Sequence, residues 1–568
     1  MMIFRRAQSN KDFIATAEEI VAGGLYVHPS WPIIKIENIL WDEDPYKDNT
    51  WCFYLHSLDI VGYLMNAYEL KSKVKYLQKA QEIIESWIKA NPTKEKQMSP
   101  AAWKDHSVAN RVVNMIHFWI HYEKSAIYNK DFSKEIKKSL NRHGDFLEDD
   151  NNHTFTNNHG IFQDRSLIEL AIIFPAFPNA ERWYDKAINR FMQHVEKDVS
   201  SSGVHLEHSD AYHIIVMRLF SSINEFLIYH NRGKKELTNL SFQMEEFLAY
   251  AVKPDQRIPT NGDSGPDRIG FLSEKDIKNP YLLYVKSKGR KGKRPDNSIL
   301  YKDAGTAIIR NHWNFNNEQL YLRFIAAFHS KVHKHADDLS FLLSIGETDF
   351  FVDSGKYNYK EKDPYRQYFR STMAHNTITV NRKTYPIDGK LIGKSKIVQY
   401  KDEEQYSFVQ GQHTLYEGVT IKRSILYLKD TGAILIYDDL DSKTEQTYSQ
   451  IFNVGEHVNF IPINKKHCLF ESKLNGKMIE LRQINHVTEF KHYTGSDKPI
   501  AGWYSDRFNE KKPIEQLQFT NKGTALEYKT IINTNIDKGV KNYSVSKSSD
   551  KIMFGITYKD NQAMTISI

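Results

Sequence analysis

The stretch HSKVHKHADDLSF, His329 to Phe341, brings three histidines and two aspartates together ahead of the apolar run FLLSIGETDFFVDSG. Imidazole and carboxylate groups are the nitrogen and oxygen donors of transition-metal sites and also the side chains that move protons near neutral pH. In VHKH, His333 and His335 stand two apart, which on a strand puts both on one face with Lys334 on the other. Asp353 in FFVDSG and His375 in STMAHNTITVN each fall where an expected strand meets a turn. Brought onto neighbouring strands, a histidine of the pair, Asp353 and His375 would offer an N/O set suited to zinc. The competing reading is a polar strand end that holds nothing. His329, Asp337 and Asp338 stay unassigned, as contacts behind such a site or as a solvated turn.

A second group is FTNNHGIFQDRS, where Asn157, Asn158 and His159 precede Gly160 and lead into a helix. Their amides and imidazole would stand at the helix start, and capping of the helix explains the two asparagines equally well. Imidazole is a poor cap, so His159 fits that explanation less. A third group is GVHLEHSDAYHIIV, where Tyr212 and His213 open another amphipathic helix after a polar loop, Tyr212 reading on its own as a packed core or rim ring. The loop PTNGDSG, Pro259 to Gly265, receives no residue-level role.

These groups need elements to hold them. From about residue 10 to 280 apolar residues recur at three- and four-residue spacing, as in YLMNAYELKSKVKYLQKAQEIIESWIKA and SVANRVVNMIHFWIHYEKSAIY, which predicts a series of helices. The basic Gly/Pro stretch VKSKGRKGKRPDNS, Val285 to Ser298, reads as an exposed linker. Beyond it come short segments rich in β-branched and aromatic residues, among them GTAIIRN, LYLRFIAAF, NTITVN, VTIKRSILYL, GAILIYDDL, YSQIFNV and IMFGITY, which predict antiparallel strands. The expected organisation is an α+β multidomain chain: a helical domain over 1–285, a linker over 286–298 and an antiparallel β-sandwich over 299–568.

Composition restricts the function. The chain has 568 residues, 40% hydrophobic and 26% charged, enough for two packed cores and unlike a disordered segment. The 77 basic and 70 acidic residues leave a net charge of +7, a modest excess that permits an acidic polymer as partner without marking a nucleic-acid binder. Cys52 and Cys468 lie in regions of different character, so no disulfide framework is expected. The N-terminal MMIFRRAQSNKDF lacks an apolar core for a secretion signal, and no apolar run reaches the roughly 18 residues of a membrane span. A cytoplasmic location, or a secreted one for a trimmed chain, both agree with that, and oligomeric state is open.

Taken together, NNHG, then EHSDAYH, then HKHADDLSF, DSG and AHNT in a β-rich half resemble the heparinase II/III family of polysaccharide lyases and its alginate-lyase relatives. WCFYLHSLDIV and AAWKDHSVANRVVN resemble that family's aromatic-rich early helices, so the likeness runs along nearly the whole chain. The resemblance implies an N-terminal incomplete (α/α) toroid followed by a C-terminal antiparallel β-sandwich, with the active cleft between them. It implies a lyase acting on a uronate-containing acidic polysaccharide, of heparin/heparan sulfate, alginate or capsular type, by β-elimination that leaves a C4=C5 double bond. Asn158 would neutralise the uronate carboxylate, His159 and Tyr212 would be the proton-transfer pair, and His333 would reach in from the β-domain. His335, Asp353 and His375 would hold a structural zinc near the cleft. Trp51, His56, Trp103, Arg111 and Asn157 would line sugar subsites, although core packing accounts for the first four equally well. Two rival readings are a glycoside hydrolase, which would need a carboxylate pair such as Asp164 and Glu207, and a non-catalytic glycan-binding or capsule-assembly protein.

Overall fold

The computed structural model describes residues 1–6, 12–155, 158–548 and 551–568. Helices come first and antiparallel sheets second. Contacts group the chain into two compact units, Met1–Lys197 with Leu219–Leu237 and Asp198–Arg218 with Thr238–Ile568. This grouping follows packing rather than chain order, for the segments 198–218 and 238–285 gather with the strands.

In the first unit, two helices are buried almost all round: Asp105–Tyr122, with an unbroken interior run from Ser107 to Trp119, and His159–Ile173, interior from Gly160 to Ala171 apart from Phe162. A helix buried on every side belongs in the middle of a layer, and these two, which also enclose polar side chains such as Arg111, Gln163 and Glu169, lie against each other. Around them stand amphipathic helices such as Lys130–Glu148, whose interior residues Phe132, Ile136, Leu140 and Leu147 follow helical spacing. Its start is capped by Asn129, whose side-chain oxygen accepts from the Asp131 and Phe132 amides. Asp105 and His159 are thus each the first residue of a central helix, where exposed backbone N–H groups favour negative charge and polar side chains.

The second unit carries a five-stranded antiparallel sheet in sequential order, Ser298–Tyr301, Thr306–Arg310, Leu320–Ile325, Ser340–Ile345 and Thr348–Phe351. A ten-stranded sheet is centred on the long strands Ala433–Asn453 and Glu515–Asn533. Phe324, Phe341 and Phe351 of the first sheet share one core with Ile425, Phe452 and Phe519 of the second, as two stacked sheets require. A three-stranded sheet, Val540–Lys547, Ile552–Tyr558 and Ala563–Ser567, packs through a separate apolar cluster.

Two local expectations are corrected. GAILIYDDL and YSQIFNV are parts of one strand, Ala433–Asn453, with its irregularity between Asp441 and Gln446. The HKHADD stretch is no strand end: residues 329–339 form an irregular loop in which His333 and Leu339 take positive φ, and the strand begins only at Ser340. Among the described residues no helix is long and apolar enough to cross a membrane. Cys52 and Cys468 are free, buried thiols.

Candidate functional site

In the helical unit the chemistry gathers at the shared end of the two central helices. Asn158 precedes His159–Ile173 and makes no side-chain capping bond, so capping does not explain it. Asn157 lies outside the described residues. His159 Nδ1 stands 3.2 Å from Asp105 Oδ2, which also accepts from the Thr154 hydroxyl at 3.0 Å. Burial opposes the Asp105 charge, but hydrogen bonds from His159, the His106 amide and Thr154 outweigh it and hold the carboxyl well below its ordinary range. The His106 ring lies 4.5 Å from that of His159, tilted by 34°, and burial, with the charge of His159, pushes its imidazole down to about 3. The His159 side chain is 40% exposed and lines an open pocket of about 550 Å³ with Phe53, Lys94, Trp103, Lys104 and Asp105.

The other proposed subsite residues sit deeper. Trp51, His56 and Arg111 are 1%, 1% and 0% exposed. The Arg111 guanidinium lies 3.8 Å above the Trp87 ring and 5.5 Å from that of Trp103, and donates to the His56 carbonyl at 2.6 Å and to His143 Nε2 at 2.8 Å. That is a cation buried among aromatic rings inside the helical unit; of the four residues, only Trp103 reaches the pocket.

In the sheet-bearing unit the centre is a residue to which the sequence lent no role. Asp263, 2% exposed, accepts from His333 Nδ1 at 3.0 Å and from Arg366 Nη1 and Nη2 at 2.6 and 3.1 Å, and lies 3.1 Å from His335 Nε2. Burial alone would raise its carboxyl, but the two imidazoles and the guanidinium hold it far below the usual range. Tyr212, in the first turn of Asp210–Tyr229, stacks face to face on His333 with ring centroids 3.5 Å apart, and its hydroxyl is 3.3 Å from that of Tyr359. Burial first, then the charges of Asp263 and Glu207, raise the Tyr212 phenol above its ordinary value. The phenol is therefore protonated at neutral pH.

Backbone fit explains how a loop achieves this. Gly262 has φ +55°, and a Cβ there would fall 2.4 Å from the His208 carbonyl and 2.9 Å from that of His333, so only glycine permits the approach. Its neighbours bind the same elements: Asn261 donates to the His208 carbonyl at 3.1 Å, and Ser264 Oγ accepts from the Ala211 amide at 3.2 Å. Thr260 donates to the Asp353 carbonyl at 2.9 Å. The Asn-Gly-Asp turn was the available signal, but nothing in it says which side chains will meet the aspartate.

His335, Asp353 and His375 are brought together, each offering a ligand atom within 4.8 Å of the others. His375 Nδ1 lies 2.8 Å from Asp353 Oδ2, the two rings are 5.5 Å apart, and all three side chains are buried. His335 Nδ1 and His375 Nε2 have no hydrogen-bond partner, a costly state for buried nitrogens that a bound cation would relieve. The residues fit a metal ion. Lys334, wholly buried, is neutralised by Asp337 and by Asp338 at 2.9 Å, so those aspartates are not a solvated turn. His329 stacks parallel to His208 at 5.8 Å. Asp164, a candidate for the hydrolase reading, is 0% exposed and 3.1 Å from His153 Nε2, with no face for a glycosidic bond.

A helical unit with an Asn158–His159 pair at the start of a central helix, joined in one chain to stacked antiparallel sheets with a His–Asp–His cluster, defines the class: a helix-then-sandwich fold. The chain belongs to the heparinase II/III family: the model "Heparinase II/III N-terminus" matches residues 4–288 and "Heparinase II/III-like, C-terminal" matches 293–553. It is 23% identical over 469 residues to a heparin-sulfate lyase of Bacteroides stercoris, covering 77% of this chain and 69% of that one. A heparin-sulfate lyase of Bacteroides thetaiotaomicron is 22% identical over 424 residues, and the match spans only 59% of its length and 69% of this chain. A solved heparan sulfate lyase mutant from Pedobacter heparinus superposes with a TM-score of 0.82 at 18% identity, covering 99% of this chain and 90% of that one. The fold is the expected incomplete toroid followed by a β-sandwich.

Proposed function

We propose that this protein is a polysaccharide lyase that cleaves heparan sulfate-like, uronate-containing glycans by β-elimination. The observation that carries this reading is the Tyr212–His333 stack held on the buried Asp263 carboxylate. Elimination needs three things at a uronate: neutralisation of its carboxylate, removal of the C5 proton and protonation of the departing O4. Asn158, whose amide is not used in capping, donates to the substrate carboxylate and stabilises the enolate-like transition state. His159, with Nδ1 turned to Asp105, uses Nε2 to take the C5 proton; the electrons of the C5–H bond form C4=C5 as the C4–O4 bond breaks. Tyr212, kept protonated by its surroundings, delivers a proton to O4. His333, fixed through Nδ1 by Asp263, orients the phenol and contacts the sugar. The basic side chains Lys94 and Lys104 beside His159 suit carboxylate or sulfate groups.

Zinc is the metal assigned to His335, Asp353 and His375, on the strength of the donor set and its two unsatisfied nitrogens. Bound there, zinc would act as structural support, because Asp263 joins His335 to the His333 and Arg366 side chains. The test is incubation with heparan sulfate, heparin, alginate and hyaluronan while following ultraviolet absorbance, since each elimination creates a conjugated double bond. A rise with heparan sulfate is expected. Chain shortening without absorbance would replace the lyase by a hydrolase, and no product from any of these glycans would reject an active enzyme on them.

A further inference from the structure

A second His–Asp–His cluster stands in the helical unit. His153 lies in the segment ahead of His159–Ile173, Asp164 is on that helix, and His194 is on Ala180–Asp198. The His153 and Asp164 side chains are 0% exposed and His194 is 1% exposed, and each offers a ligand atom within 4.8 Å of the others. His153 Nε2 and Asp164 Oδ1 are 3.1 Å apart, and the two imidazole rings are 5.7 Å apart. Ligand atoms around a tetrahedral zinc with bonds of about 2.0–2.1 Å stand roughly 3.3 Å from one another, so modest ring rotations bring all three into range.

A further observation points to a ligand. His153 Nδ1 and Asp164 Oδ2 are buried with no hydrogen-bond partner, a state that costs about 1–3 kcal/mol per group unless something satisfies it. Gly160 lets the helix approach both imidazoles closely: a Cβ there would lie 2.5 Å from His194 Nε2, 3.0 Å from His153 Cε1 and 2.3 Å from the Thr154 carbonyl. Gly160 is not among the positive-φ glycines, so the demand is for space and not for backbone conformation. By contrast, at the third such cluster, Glu69, His117 and His121, the Arg5 guanidinium already sits 2.8 Å from the carboxylate as its cation.

We propose that His153, Asp164 and His194 form a second transition-metal site, within the helical unit, that takes zinc or a cation of the same donor preference. Two imidazoles and one carboxylate are a borderline-soft set that favours such a cation over calcium or magnesium. The bound ion ties the segment ahead of the Asn158–His159 pair to two helices, so its work is to position that pair.

The experiment counts metal on the full chain, purified without a metal-affinity tag, stripped with chelator and titrated with zinc against a chromophoric chelator. The unmodified protein is expected to take two equivalents, His375→Ala one, His153→Gln one and the double variant none. Asp164→Asn, which keeps its shape, replaces His153→Gln if that variant does not fold, judged by circular dichroism. Zinc binding by His375→Ala should also raise its melting temperature, and the added His153→Gln should remove that shift. A folded His375→Ala protein that binds no zinc overturns the site, as does an unchanged zinc count on His153→Gln and Asp164→Asn. Both results stand whatever glycan the enzyme cleaves.

Discussion

Asp105 and Asp263 each fix the imidazole of a proposed active-site histidine, but they do so in opposite settings. Asp105 begins a helix, serves His159 and Thr154, and lies beside an open pocket. Asp263 is 2% exposed and serves His333, His335 and a bidentate Arg366 together. One carboxylate holds a single, partly exposed imidazole; the other is the keystone of a buried network that also reaches His335 of the His335–Asp353–His375 cluster. The lesson is that catalytic loss and folding loss should separate at Asp105 and coincide at Asp263.

The largest expected effect tests the network's product and not its frame. Tyr212→Phe removes the proton destined for O4 at nearly constant shape, so turnover should fall by about 10²–10⁴ with folding and glycan binding kept. Near-normal turnover would remove Tyr212 from the mechanism. Because its phenol is raised, the native enzyme should not lose activity through tyrosine ionisation until pH passes the ordinary value of about 10; an earlier alkaline loss assigned to Tyr212 by its absence in the phenylalanine variant would contradict this.

Asp263→Asn should fail on both counts. It leaves a buried guanidinium and two imidazoles without their counter-charge, and breaking such a pair costs about 3–5 kcal/mol, readable by denaturant unfolding together with lost turnover. A stable variant with normal turnover would make the network incidental. Asn158→Ala should act on rate alone: loss of an oxyanion donor costs about 2.7–4 kcal/mol in kcat. A change confined to KM would recast Asn158 as a simple binding contact.

Asp105→Asn should be milder, since a hydrogen bond to a charged group is worth about 1.5–3 kcal/mol, or roughly ten- to hundredfold in rate. Its carboxyl is held low in the folded protein, so it contributes stability at pH values above its unfolded pKa that is lost as pH falls through the folded one. The variant should therefore show a flatter acid limb in a plot of stability against pH, while neutral-pH folding survives. The smallest effect is expected from Arg111→Met: with its guanidinium enclosed by Trp87 and Trp103, kcat and KM for glycan should not change. A raised KM would return Arg111 to the substrate.

Much of this was legible from residue type and spacing. Periodicity of three to four in the first half and short β-branched runs in the second announce helices and strands, because burial on one face is a local property of the pattern. NNHG and the Asp353 and His375 motifs marked themselves by placing polar chemistry at element borders. The HKHADD stretch misled in its backbone: a spacing of two on a strand and a loop with positive φ at His333 give the same sequence signal. Arg111 and Trp51 look alike as sugar contacts or as core, and only enclosure by other helices separates the two.

By itself, then, the sequence determined the order of helices and strands and the family's motif residues, and its charge permitted an acidic partner. Tertiary structure alone decided that Asp263 would gather His333, His335 and Arg366, that Asp337 and Asp338 would neutralise a buried Lys334, and that His153, Asp164 and His194 would meet. The physical reason is range. Periodicity and capping act over a few residues, whereas a buried carboxylate finds its partners only after segments far apart in the chain have packed, when the cost of an unpaired charge selects which side chains must converge.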